Sequence, residues 1–132
     1  MVKQKMKTVK WILLAGSLNA ALAVMLGAFG AHGLKAHLDE HALTTFQTAV
    51  DYHFIHALGL LIIGTIAQRI DTKGIKISAT LLLVGTLIFC GSLYLLSVTG
   101  LRWIGAITPI GGLAFIIGWI TLAVSLWRSP ID

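Results

Sequence analysis

The chain has 132 residues, 57 % of them hydrophobic and 11 % charged, with a net charge of +5 and a mean hydropathy of +0.90. These values lie far from those of a soluble domain. The length excludes a second folded unit, and the one cysteine, Cys90, excludes an intrachain disulfide.

Four apolar runs follow in order, at residues 11–34, 44–68, 77–98 and 104–126. About 20 apolar residues cross a hydrocarbon core as a helix, and a helix closes its backbone hydrogen bonds within itself, as lipid requires. The pattern predicts an all-α integral membrane protein, a four-helix up-down-up-down bundle in a single domain over 1–132.

The first run carries small residues at helical spacing, Gly16, Ala20, Ala23, Gly27 and Ala31, with Asn19 beside them. Such a stripe lets transmembrane helices approach closely, and Asn19 can bond across the contact. Four lysines ahead of an apolar stretch and Ala21-Leu22-Ala23 also follow the grammar of a cleaved signal peptide. The length of the run and its stripe favour a retained helix. Gly33 is expected to end it with a positive φ, as Gly100 ends the third helix. Segment 35–43 is long enough for a turn or two lying in the interface, with Leu34 and Leu38 towards lipid. Thr44-Thr45-Phe46-Gln47 fits a capping box that starts the second helix. Asp71-Thr72-Lys73-Gly74 reads as a polar turn, and Pro109 is expected to kink or delay the fourth helix.

The basic residues sort by side. Lys3, Lys5, Lys7, Lys10, Arg69, Lys73, Lys76 and Arg128 fall on one, and only Lys35 and Arg102 on the other. The positive-inside bias places both termini in the cytoplasm. The lysines there meet anionic headgroups, so the basic balance implies a lipid bilayer as partner and no nucleic acid. Trp11, Trp103 and Trp127 stand at run ends, where amphipathic rings prefer the interface.

Polarity within the spans collects in the outer halves. Gln47, Asp51, Tyr52, His53, His56, Tyr94 and Arg102, with Ser92, Ser97 and Thr108 nearby, form a candidate outward-facing vestibule. The alternative is a set of interhelical hydrogen bonds and an interfacial belt. All five histidines fall between positions 32 and 56, and the pairs His37/His41 and His53/His56 each share a helical face. Asp51, however, lies about 160° around the helix from His53, on the face of Thr44, Gln47 and Thr48. The runs hold no second carboxylate and no Cys-x-x-Cys, so no metal and no cofactor are expected. A nucleophile elbow, a phosphate-binding loop and a dinucleotide fingerprint are all missing, so no catalytic residue is assigned.

The string Gly27-Ala28-Phe29-Gly30-Ala31-His32-Gly33-Leu34 resembles the hallmark of the YwdK/YgdD-like small membrane proteins, a domain-of-unknown-function family related to eukaryotic transmembrane protein 256. Three further blocks are similar to that family: Phe46 through Thr48-Ala49 to Tyr52-His53 and His56, then Phe89 with Gly91-Ser92-Leu93-Tyr94, and Ile107-Thr108-Pro109-Ile110-Gly111-Gly112 running to Gly118-Trp119. The likeness extends in order from about Trp11 to Trp127. It implies four transmembrane helices, a bacterial plasma-membrane setting and a retained first helix, with the basic tail before Trp11 as an extension. No established activity comes with it.

Two classes of function stand. One is a non-enzymatic bundle that assembles with itself or serves a larger membrane protein as an accessory subunit. The other is a minimal transporter or channel, or a metal- or cofactor-binding protein, using the outer polar residues. The first expects Gly27→Leu or Ala23→Leu to disrupt assembly, with His53→Ala and Asp51→Asn nearly silent.

Overall fold

The computed structural model describes residues 1–130. Helix α1 covers Val2–Phe29 and runs on through a π turn, Gly30–Leu34, as one 33-residue helix. Helix α2 is Glu40–Ala67. The third span is built from α3 (Lys73–Gly85), a second π turn (Thr86–Cys90) and α4 (Gly91–Thr99). A 3₁₀ turn, Arg102–Ala106, leads into α5 (Thr108–Arg128). All four spans are long and apolar enough to cross a membrane, and no strand occurs among the described residues.

The helices overrun the apolar runs at most ends. Lysine is a good helix former, so α1 starts at Val2 rather than Trp11 and carries its lysines on a helical overhang. Helix α2 starts at Glu40 rather than Thr44. Its cap is Asp39, whose carboxylate accepts from the Ala42 N–H at 2.8 Å, and the Thr44 hydroxyl instead donates back to the Glu40 carbonyl at 2.9 Å. Segment 35–39 is therefore a short turn, with Leu34 and Leu38 half-buried. Gly33 stays in the π turn. The one positive φ among the described residues is Gly100, at 69°, which ends α4 by donating its N–H to the Leu96 carbonyl. Pro109 occupies the first turn of α5, where its missing donor leaves no intrahelical bond unmade. It delays that helix behind the 3₁₀ turn.

Successive helices run antiparallel. Helix α1 packs along α2, α5 packs along the third span, and α2 joins the two pairs through α3 and α4. One end of the bundle holds Val2, the 68–72 loop and Arg128; the far end holds 35–39 and 100–101. Ile12, Leu60, Ile63, Ile75 and Leu82 are fully buried along the axis, while Leu14, Leu18, Ile62, Ile116 and Ile120 face outwards. Lipid solvates a leucine as well as another helix does, so burial of such residues gives little drive to assembly. Close packing and interhelical hydrogen bonds must supply it.

Glycines set the approach. A Cβ on Gly16 would stand 2.9 Å from Leu61 Cγ, one on Gly27 3.2 Å from Val50 Cγ1, and one on Gly64 2.6 Å from Leu13 Cδ2. The stripe of α1 is thus occupied by α2 of the same chain. Ala23 is fully buried, and Asn19 and Ala20 are half-buried. Ala31 is exposed, and Gly30 takes the last place in the seam, against Phe46. The tightest approach to backbone is at Gly111 on α5, where a Cβ would meet the Phe89 backbone nitrogen at 2.4 Å. Phe89 belongs to the π turn of the third span. A π turn widens the helix locally, and Gly111 fits against that stretch of backbone.

Backbone cannot rotate aside as a side chain can, so Gly111→Ala should cost about 1–3 kcal/mol, the range for overpacking a filled contact. Gly91, with nothing within 4 Å of its Cβ position, provides the comparison. There alanine should be neutral or slightly stabilising, since it is the better helix former by about 1 kcal/mol. Thermal unfolding of the two variants in mild detergent checks the contrast.

Candidate functional site

The far half of α2 projects two histidines into the bundle, three residues apart and both buried: His53 is 3 % exposed and His56 4 %. In hydrocarbon each ring nitrogen needs a protein partner, and each has one.

His53 joins three helices. Its Nε2 lies 3.0 Å from Asn19 Oδ1 on α1, and its Nδ1 lies 3.0 Å from the Tyr94 hydroxyl on α4. The Asn19 Nδ2 donates to the Ala15 carbonyl at 2.8 Å, which fixes the amide with Oδ1 towards the ring. An amide oxygen only accepts, so Nε2 carries the proton, and the Tyr94 O–H donates to Nδ1. The Tyr94 ring is held against Phe46, with centroids 5.0 Å apart.

His56 has the opposite tautomer. The indole Nε1–H of Trp119 on α5 donates to Nε2 at 3.1 Å, so the proton sits on Nδ1 and is donated to the Tyr52 carbonyl at 2.7 Å. The imidazole stacks on Phe115 at 3.5 Å between centroids and 11° between planes. Phe89 and Tyr52 extend the aromatic group, 4.6 Å apart.

Smaller pairs secure the fourth span. Ser92 and Thr108 hydroxyls are 2.6 Å apart between α4 and α5, and the Ser78 hydroxyl donates to the Gly118 carbonyl at 2.8 Å between α3 and α5. Among the described residues no buried side-chain nitrogen or oxygen lacks a partner.

The seven vestibule candidates do not line one cavity. His53, His56 and the half-buried Tyr94 face inwards. Gln47 and Asp51 are exposed on the opposite face of α2 and bond to each other, Gln47 Nε2 to Asp51 Oδ1 at 2.8 Å. Tyr52 is 41 % exposed at the flank. Arg102 lies in the 3₁₀ turn, lining a separate surface groove with Asp39, His41, Thr45, Ser97 and Gly100. The reason is angular: at about 100° per residue, positions 47 and 51 cannot share a face with 53 and 56. The histidines are dispersed too. His32, His37 and His41 are exposed, with His37 Nδ1 3.1 Å from the Gly33 carbonyl. Among the described residues no three His, Cys, Asp or Glu side chains gather at one point. Cys90 is buried and free.

Trp119 and Phe115, which complete the His56 site, are absent from the vestibule set drawn from the sequence. An indole N–H inside an apolar run needs an acceptor, and that requirement was the available signal for Trp119. A cleft of about 130 Å³ opens beside the His53 group, bounded by Asn19, Thr86, Cys90, Gly91 and Tyr94.

The opposed tautomers are directly checkable. Nitrogen NMR of protein labelled at histidine should show His53 protonated at Nε2 and His56 at Nδ1. His53→Ala strands Asn19 Oδ1 and the Tyr94 hydroxyl and should cost about 1–3 kcal/mol in thermal unfolding. On that readout it should not be silent, whereas Asp51→Asn on the outer face should stay within about 0.5 kcal/mol.

Residues 26–112 match the family model described as "Protein of unknown function (DUF423)". The chain is 45 % identical over 117 residues to the UPF0382 membrane protein YwdK of Bacillus subtilis, covering 88 % of this chain and 95 % of that one. It is 43 % identical over 119 residues to a UPF0382 membrane protein of Staphylococcus aureus, covering 90 % and 97 %. Its identity to one from Staphylococcus saprophyticus is 45 % over 121 residues, covering 90 % and 98 %. No solved structure matches. With a four-span fold and relatives of this extent, the chain belongs to the DUF423 family of UPF0382 membrane proteins, a multi-pass membrane family of unknown function.

Proposed function

We propose that this protein is a non-enzymatic accessory subunit of the bacterial plasma membrane, with both termini in the cytoplasm, that binds a larger membrane protein. The observation that carries the reading is the saturation of His53 and His56. All four ring nitrogens are bonded to groups of the protein's own helices, so the residues best suited to a proton path or a ligand site serve as clamps between spans. The inner halves of the spans, with stretches such as Leu60-Leu61-Ile62-Ile63 and Leu81-Leu82-Leu83-Val84, give an ion no polar route onward. Because α2 of the same chain fills the α1 stripe, the partner is a different protein rather than a second copy packed on that stripe. The sorting of basic residues supports the orientation.

Native mass spectrometry of the protein, released from its own membrane in mild detergent, tests this. The expected species is a complex with another membrane protein at fixed stoichiometry. A bound metal or organic cofactor, or a bare homo-oligomer, would overturn the reading. In liposomes the purified protein should pass no protons, sodium or potassium above protein-free vesicles; flux that Asp51→Asn or His56→Ala abolishes would make it a transporter.

A further inference from the structure

Asp51 is the anomaly of the fold. Ionisable side chains at membrane depth nearly always turn to the bundle interior or a wet cavity, yet this one is exposed on the face of α2 opposite its buried positions. On α2 the buried positions include Val50, His53, Ala57 and Gly64, and the opposite face carries Thr44, Gln47, Asp51, Ile55, Leu58 and Ile62, all exposed. The other acids among the described residues, Asp39, Glu40 and Asp71, sit at a cap, a first turn and a loop. Counting about 30 Å of hydrocarbon, or about 20 helical residues, back from Ala67 puts the far boundary near Gln47. Asp51 then lies about 6 Å inside it, at 1.5 Å per residue. Gln47 bonds one carboxylate oxygen. Among the described residues nothing else bonds Asp51, and the ion pair present there, Lys76–Asp71, is at the other end of the bundle.

We propose that this face of α2 docks a transmembrane helix of another protein that carries a lysine or arginine at the depth of Asp51. The inference rests on the accessory reading above and names its surface. Charge decides the occupant. A second copy in the same membrane orientation, related by a two-fold axis along the bilayer normal, would set Asp51 against Asp51, like against like. It could not supply the missing cation, since equivalent residues share a depth and the far-end cations Lys35 and Arg102 both lie in connections past the boundary. A basic side chain on a foreign helix meets both requirements. It pairs with the free carboxylate oxygen and can donate to the side-chain carbonyl of Gln47, and Ile55, Leu58 and Ile62 pack below at the three- and four-residue spacing of a helix seam.

The test is energy transfer in vesicles between the labelled full-length protein and a Leu/Ala-rich transmembrane peptide. One peptide carries a single lysine four residues inside the far boundary, and a control has leucine there. The lysine peptide should associate about three- to tenfold more tightly, in the range of polar contacts between membrane helices. That preference should vanish with Asp51→Leu and weaken with Asp51→Asn; both changes lie on an exposed face outside the core. Equal transfer from the two peptides, or a lysine preference that survives Asp51→Leu, overturns the docking face. Asp51-dependent transfer between two copies of the protein makes a second copy the occupant and overturns the proposal as well. Ion flux measured in the same vesicles separates the two readings: a lost lysine preference with silent flux removes the docking face alone, whereas Asp51-dependent flux removes the accessory reading.

Discussion

An imidazole inside hydrocarbon has no water to bond, and a nitrogen left without a partner there costs several kilocalories per mole. That requirement organises the far half of this bundle. His53 and His56 leave one helix in different directions and find partners on α1, α4 and α5, so α2 is tied to every other span through two rings. The backbone makes the arrangement possible, because a spacing of three residues turns the two side chains about 60° apart around the helix. Opposite tautomers follow from the partners: an amide oxygen demands a donor from His53, and an indole N–H demands an acceptor from His56.

Hydrogen bonds of this length are made only if the helices come close, and glycine controls that. Gly16, Gly27 and Gly64 bring α1 onto α2, and Gly111 brings α5 onto the backbone of the second π turn. Asn19, on the same flank of α1 as the stripe, reaches His53 because the stripe has removed the side chains that would hold the helices apart. Packing and polarity are therefore one device. The glycines set the distance, and the polar groups use it to fix register, which van der Waals contact between aliphatic surfaces leaves loosely specified.

The four spans were legible in the sequence because a run of about 20 apolar residues admits few other readings. Their ends were less so. The hydrophobic pattern says where lipid stops, whereas a helix stops where its caps allow, and Asp39 and the N-terminal lysines carried two helices beyond the apolar runs. At the site, helical angle alone separated Asp51 from His53. It could not say which span each would face, since that depends on how the helices are arranged and on two π turns. Each π turn inserts a residue and rotates everything after it by about 100°, so a wheel drawn through Thr86–Cys90 misplaces Ser92, Tyr94 and Ser97 relative to Ser78 and Leu82. Close approach at Gly111 was foreseeable from the Gly111-Gly112 pair; its fit to a π turn was not.

Against this background the outward carboxylate carries more meaning than the buried histidines. The bundle has the means to bury polar side chains and satisfy them, and it does so with histidine, tyrosine, asparagine, serine and threonine in the same half of the membrane. Asp51 is a single helical turn from Gln47, which bonds it, and within two residues of His53, which is fully engaged inside. Turning it inwards would need only a different residue order along α2. Leaving a charge on the lipid-facing surface is costly for the isolated protein, and a surface that is costly alone but complementary to a basic helix is the signature of a specific contact. The same cost disfavours docking with helices that present only leucine at that depth, so in the proposed complex the residue that burdens the free bundle would also select its partner.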